Sequence, residues 1–393
     1  MGRSWTMPWH RCVSAAVGCC VALAIAGAPA LAITWPPQVS VAFDFPPSPL
    51  IQGGTAHLVY EILLTNFARV PYVLESIDVK AGVQRFAFAG AVLTSMMRII
   101  GVNGAPALTR RLEAGRTAIV YVTLDFNTTS VPSAALVHTL HLTSSEMGRQ
   151  ALSPEPLAVT QRAPVVVAPP LRGPNWIAGD ASHNGPDADH RRTAFLEGGH
   201  VWLAQRYAID WVQYRTINGV QMTWSGPEDK NGSYFCYNAP IYSVATGKVI
   251  EVMDGIPENV PHGHKLAIDI NLSNVGGNHV VVDIGNHRYA FYAHMRPGSV
   301  QVRVGDYVST GHVLGRVGNT GNSTEPHLHM HIVDGPSFLA ANGLPYAFVR
   351  FTESPSVAMI TKPDSQAMTF GRIGPLQPVR DEYPVSNAAV IFP

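Results

Sequence analysis

The feature that most limits this chain is how often its backbone is interrupted. Thirty-five glycines and 31 prolines are spread over 393 residues. Glycine weakens a helix interior and proline breaks one. No segment downstream of the N-terminus keeps a helical apolar period over a convincing length, so short strands joined by turns are expected. Charge narrows the field further. The 27 Lys+Arg balance the 27 Asp+Glu, only 14% of residues are charged, and 46% are hydrophobic. Such a composition argues against wholesale disorder. Zero net charge also lacks the basic excess expected of a nucleic-acid binder. The length suggests two or three domains, each able to bury a core.

The N-terminus reads as an export signal. Arg3 and Arg11 precede an apolar run from Val13 to about Ala32, which ends Ala30-Leu31-Ala32. A basic start, an apolar middle and a small-residue end define a secretory signal peptide, residues 1–32, cut after Ala32. The run is about long enough to span a membrane, but Gly18, Gly27, Pro29 and the small-residue end favour cleavage. Lipidation at Cys19 is a weaker alternative, because the apolar run continues past it. Cleavage removes Cys12, Cys19 and Cys20 and leaves Cys236 alone, so no intramolecular disulfide is expected. It also leaves 25 basic residues against 27 acidic ones. No later stretch is long and apolar enough to span a membrane. The expected product is an exported protein, periplasmic or secreted.

Residues 33–162 are expected to form an accessory β-sandwich, immunoglobulin-like in a generic sense. The runs His57–Thr65 (HLVYEILLT), Ile119–Phe126 and Leu136–Thr143 carry β-branched and aromatic residues between Gly, Pro and Asn clusters. His138 and His141 are three apart and would face opposite sides of a strand, as ordinary surface or cross-strand residues. The Pro-rich segment 163–174 reads as a linker. Residues 175–350 form a second β-rich domain, with Ala239–Met253 expected as a hairpin. Residues 351–393 read as a tail that wraps or is partly loose. No solenoid-like repeat is present.

Chemistry concentrates in Glu325-Pro326-His327-Leu328-His329-Met330-His331. On a strand the three histidines share one face, about 6.6–6.8 Å apart. They follow a loop of small and polar residues, Gly318–Thr324. Three imidazoles on one face can supply metal ligands and a proton-transfer group. A lone histidine there would be read as a surface residue.

Around this strand the chain resembles the lysostaphin/LytM-type zinc endopeptidases, which cut peptides of the bacterial cell wall. The resemblance spans about Tyr207–Val333. It rests on an apolar hairpin, then GNHVVVD, then YAHM, then VRVGDYVSTGHVLGRVGNTGNSTEPHLH, in that order. It implies a compact antiparallel sheet with a groove, and a zinc held by the His and Asp of an H-x-x-x-D strand and by the second His of H-x-H. Carried over, His329 corresponds to the H-x-H ligand, and His327 and His294 to the two catalytic histidines. Asp210 corresponds to the aspartate ligand, and Arg206 falls where the first histidine ligand belongs.

That substitution matters, because arginine is all donors, stays protonated and cannot ligate zinc. A catalytic zinc needs three protein ligands and a water. His264 with Asp269 is not a substitute pair: their spacing is five, and they follow the Ala239–Met253 segment instead of preceding it. The candidates for the vacant place are His190, in an irregular segment able to fold over the groove, then His331, then His183. Arg206, Asn319 and Asn322 are candidate substrate contacts, and Tyr207, Trp211 and Tyr292 candidate groove residues. The expectation is an exported zinc endopeptidase acting on a peptide or peptidoglycan substrate. The competing reading is a degenerate module that binds cell-wall peptide or a partner hydrolase without cutting.

Overall fold

The computed structural model describes residues 35–101, 109–185, 188–354, 357–360 and 368–393. The expected signal segment, residues 1–32, lies outside them. Among the described residues no helix is long and apolar enough to cross a membrane.

The N-terminal part builds two five-stranded sheets. One runs Val39–Ala42, Thr55–Asn66, Thr117–Asp125, Met97–Ile99, with Pro49–Gln52 also against Thr55–Asn66. The other runs Gly148–Leu152, Leu136–Ser144, Tyr72–Ala81, Gln84–Ala89, with Arg111–Leu112 also against Tyr72–Ala81. Leu58, Tyr60, Ile62 and Leu64 from the first sheet meet Leu74, Ile77, Val79, Leu140 and Leu142 from the second in one core. The period of two puts alternate side chains into that core. His138 proves to be a core residue and not a surface one: it is fully buried, and the Tyr60 hydroxyl donates to its Nε2 at 2.8 Å. His141 faces outward beside Asp78, 2.9 Å away.

The second part is organised on a ten-stranded antiparallel sheet. Its order is Tyr307–Val308, Gly247–Met253, Asn278–Asp283, Tyr289–Met295, Leu328–Val333, Ile209–Gln213, Gly173–Gly179, Ala389–Phe392, Phe351–Glu353, Gln377–Val379. Three expected features differ. Pro240–Tyr242 and Gly247–Met253 are both strands, but they do not pair as a hairpin. The first pairs with Val313–Arg316, and the second with Asn278–Asp283 and Tyr307–Val308. The segment read as a linker is not a spacer: Val165–Val167 pairs in parallel with Tyr346–Phe348, and Gly173 already begins a strand of the large sheet. The segment read as a tail supplies sheet strands, with Ala389–Phe392 lying between Gly173–Gly179 and Phe351–Glu353. Edge pairing absorbs backbone groups that a free linker or tail would leave to water.

The described residues between Pro36 and Pro393 form one compact unit. The outward face of the first sandwich sheet is covered. Val59 joins the core of the second part, while Leu63, Ile119 and Tyr121 pack with Val201 and Leu203. The strand HLVYEILLT is nearly continuous in apolar residues because both of its faces are buried.

Candidate metal centre

Register places the site at the middle of the large sheet. Asp210 lies directly opposite His329 across the Ile209–Gln213/Leu328–Val333 pair. Opposed residues point to the same face, so carboxylate and imidazole meet: Asp210 Oδ1 is 2.8 Å from His329 Nδ1. On the other flank His329 faces Ala293, whose small side chain leaves the space open. His294 follows Ala293 and would point to the opposite face of a regular strand. Its left-handed backbone, φ 63°, turns it instead, and its ring lies 4.8 Å from that of His327 and 5.7 Å from that of His329. A non-glycine residue held there stores strain that the surroundings must offset.

The fifth group arrives from outside the sheet. Gly179 is opposite Asp210, and the chain then turns at Asp180 and forms a single helical turn, Asp189–Arg192. Asp180 Oδ2 accepts the His190 backbone N–H at 2.7 Å, and the Asp180 carbonyl lies 3.0 Å from His190 Nδ1. Its Nε2 lies 3.3 Å from Asp210 Oδ2, so with Nδ1–H donating to that carbonyl, loss of the Nε2 proton would leave a lone pair aimed at the site. His190, Asp210 and His329 offer ligand atoms that all lie within 4.8 Å of one another. Ligand atoms about 2 Å from a tetrahedral zinc are roughly 3.3 Å apart, so this donor set fits the ion. His294, His327 and His329 form a second, overlapping group.

The electrostatics favour a cation. Burial works against charge on His190, but the Asp210 and Asp180 carboxylates overcome it and push its pKa up to about 9. Burial opposes ionisation of Asp210 too, yet the surrounding imidazoles, His190 first, hold it well below the usual carboxylate range. Burial and then the neighbouring His327 and His329 depress His294 far below an ordinary histidine. Burial lowers His327 as well, but Asp210 outweighs it and leaves the group raised.

Each remaining histidine has a definite place. His294 Nδ1 lies 2.7 Å from the Thr320 carbonyl and His327 Nδ1 2.8 Å from the Glu325 carbonyl. Donation to those carbonyls turns both Nε2 atoms toward the site, where His327 Nε2 lies 3.4 Å from Asp210 Oδ1. His331 sits behind His329 and does not reach Asp210. Its Nδ1 is 2.9 Å from His329 Nε2, and its ring stacks on Phe291 at 5.0 Å. Such a contact orients the ligand in front of it. His183 is held by Asp180 at 3.2 Å. His264 and Asp269 lie in an exposed loop.

Several expected substrate contacts are structural instead. Arg206 is 2% exposed, and its guanidinium is taken up by Glu61 and the Gly343 carbonyl. A group enclosed in that way is not available to substrate. Asn319 is buried, with Nδ2 donating to Asn231 Oδ1 and Oδ1 accepting from Ser323. Tyr207, Trp211 and Tyr292 are core residues. Asn322 remains exposed. Sequence reasoning missed Asp180, Thr320 and Phe338; the last packs 5.4 Å from the His329 ring and 5.0 Å from that of His331. No spacing signal marks these three, because a lone carboxylate at a turn, a backbone carbonyl and a loop phenylalanine carry no motif.

A carboxylate and clustered imidazoles on an antiparallel sheet make up a donor set of the class that could hold a metal ion. Residues 232–339 match the model of Peptidase family M23, so the chain carries a domain of that family. The match takes in His294, His327 and His329, whereas Asp210 and His190 precede it. Lysostaphin from Staphylococcus simulans is 32% identical over 93 residues, which are 23% of this chain and 15% of that protein. Lysostaphin from Staphylococcus staphylolyticus matches to the same extent. The chain thus spans about 15% of the length of the curated relatives it matches. Among solved structures, the catalytic domain of Staphylococcus simulans lysostaphin is 26% identical, over 28% of this chain and 76% of that one, with a TM-score of 0.18. The catalytic domain of the prophage-encoded M23 protein EnpA from Enterococcus faecalis is 21% identical, over 44% and 87%, with a TM-score of 0.23.

Proposed function

We propose that this protein is an exported zinc-dependent endopeptidase that hydrolyses peptide bonds, with cell-wall peptidoglycan as its substrate. The observation that carries the reading is the convergence of His190, Asp210 and His329 with two further histidines whose Nδ1 atoms are fixed by backbone carbonyls. His190, Asp210 and His329 would hold the ion. Zinc bound there supplies a Lewis acid and a water acidified to a pKa of about 7. His294 and His327, each fixed through Nδ1 by a backbone carbonyl, orient the attacking water and hold its proton at Nε2. The same edge donates to the developing oxyanion and then to the leaving amine. His331, behind His329, keeps that ring in place. Asn322, exposed beside the histidine strand, is the remaining candidate substrate contact of the three read from the sequence.

Arg206 favours one other reading, a module that binds wall peptide or a partner hydrolase without cutting, because it removes the family's first ligand. The two readings separate in one experiment. Purified full-length protein is assayed for peptidoglycan digestion with and without chelator, alongside elemental analysis. Chelator-sensitive cleavage and one zinc per chain are expected. His190→Ala should lose the zinc and His331→Ala should keep it. Absence of both zinc and cleavage in the native protein removes the enzyme reading, and full zinc retention in His190→Ala removes the ligand assignment.

A further inference from the structure

We infer that the N-terminal sandwich is a working part of the metal centre: its outer strand face clamps Arg191 and Arg206, and so sets His190 in the ligand position that Arg206 leaves empty. The inference rests on the ligand set proposed above.

The two arginines lie between His190 and Asp210 in sequence, and the side chains of both end at the sandwich. Arg206 directs Nε and Nη2 to the Glu61 carboxylate, the shortest contact being 2.7 Å, and Nη1 to the Gly343 carbonyl at 3.1 Å. Its charge is thereby drawn onto a sandwich strand. Arg191 is the neighbour of His190. It donates through Nη1 to Thr123 Oγ1 and Asn184 Oδ1 at 2.6 and 2.7 Å, and through Nη2 to the carbonyls of Val122 and Tyr60 at 2.6 and 3.4 Å. Its Nε lies 3.9 Å from the same Glu61. Thr123, Val122, Tyr60 and Glu61 all belong to the two central strands of the first sandwich sheet.

The turn that carries His190 cannot hold itself. It is four residues long, and an isolated helical turn is unstable in water. Successive side chains on a helical turn diverge by about 100°, so a turn that drives Arg191 into the sandwich aims His190 elsewhere, here at Asp210. Tyr121 adds a further tie, its hydroxyl donating to the Arg192 carbonyl at 3.3 Å. Asp180 fixes the imidazole from the other side. His190 therefore stands between an anchor in the second part and an anchor in the sandwich, which makes Arg191, Thr123 and Glu61 positioning residues for the ion.

The test uses the full chain. Zinc affinity is measured by competition with a chromophoric chelator, and the visible spectrum of the Co2+-substituted protein reports the ligand geometry. Arg191→Met is expected to weaken zinc about tenfold or more, within the range known for residues that orient ligands. Its cobalt spectrum should move toward that of His190→Ala. Thr123→Val, which removes one acceptor at nearly constant side-chain size, should shift both readouts less, in the same direction. A purely structural role would lower the melting temperature and leave the folded protein's cobalt spectrum alone. Wild-type affinity and an unchanged spectrum in folded Arg191→Met overturn the inference, and Thr123→Val decides in the same way if Arg191→Met does not fold. Failure of the ligand reading looks different: His190→Ala then keeps its zinc, which overturns both.

Discussion

Two residues decide how the centre of this molecule is read. Arg206, where the sequence resemblance implies a ligand, is a buried cation paired with Glu61, and His190, the ligand proposed in its stead, stands on a short turn beside Asp210. Burial explains the pairing: a guanidinium out of water must have its donors matched. A second buried titratable residue, His138, gives a sharper prediction. Burial holds its pKa down at about 4 against 6.5 in the open chain. The unfolded chain therefore takes up the proton first as the pH falls. The stability that His138 contributes is present above about pH 6.5 and is lost as the pH drops towards 4. His138→Gln keeps an acceptor for the Tyr60 hydroxyl and removes the titration. Urea unfolding of both proteins at about pH 7.5 and about pH 4.5 should show the wild type losing about 2–3 kcal/mol more than the variant. Equal losses would refute the assignment.

At the scale of elements, the site depends on backbone approaching backbone. Gly277 lies against Thr320 at φ 61°, and Gly321 lies against Gly277 at φ 74°; a Cβ on either would overlap the facing main chain. The Thr320 carbonyl held by this contact receives His294 Nδ1, and the Thr320 hydroxyl accepts the Asn278 N–H and donates to the Met295 carbonyl. Gly277→Ala is expected to displace that carbonyl and with it His294. Peptidoglycan turnover should fall about 100-fold, and stability by about 2 kcal/mol or more. Bound zinc should be retained, since His294 is not in the proposed ligand set. Unaltered turnover would show that Thr320 does not position His294.

At the scale of the molecule, sandwich and large sheet meet in a buried contact, polar around Glu61 and apolar around Ile119 and Tyr121. Glu61, Arg191 and Arg206 are all nearly enclosed, and Gly54 and Gln52 of the sandwich bond to the Glu382 carboxylate and the Pro384 carbonyl, in the segment between the last two strands. Removing one partner of a buried ion pair leaves the others uncompensated. Glu61→Ala should therefore cost about 3–5 kcal/mol, read from urea midpoints at constant slope. The native protein should unfold in a single calorimetric transition, with sandwich and sheet melting together. Two separated transitions, or a loss below about 1 kcal/mol for Glu61→Ala, would mean that the contact is not what unites the two parts.

Much of this was open to reading along the chain. Strand-period runs between Gly and Pro turns carry the mainly β fold, because side-chain alternation and turn chemistry are local properties. The spacing of His327, His329 and His331 puts three imidazoles on one strand for the same reason, whereas His294 and Asp210 were marked only by the family resemblance, and His294 reaches the group through a backbone turn that alternation does not foretell. The apolar run HLVYEILLT already held the sign of a strand covered on both faces. What covers it was not legible, because the cover comes from residues more than a hundred positions away. The joining of residues 163–174 and 351–393 to the large sheet, the burial of Arg206 on Glu61 and the placing of His190 beside Asp210 are long-range pairings. Which distant groups satisfy a buried charge or an open strand edge depends on how whole sheets dock, and only the tertiary structure decides that.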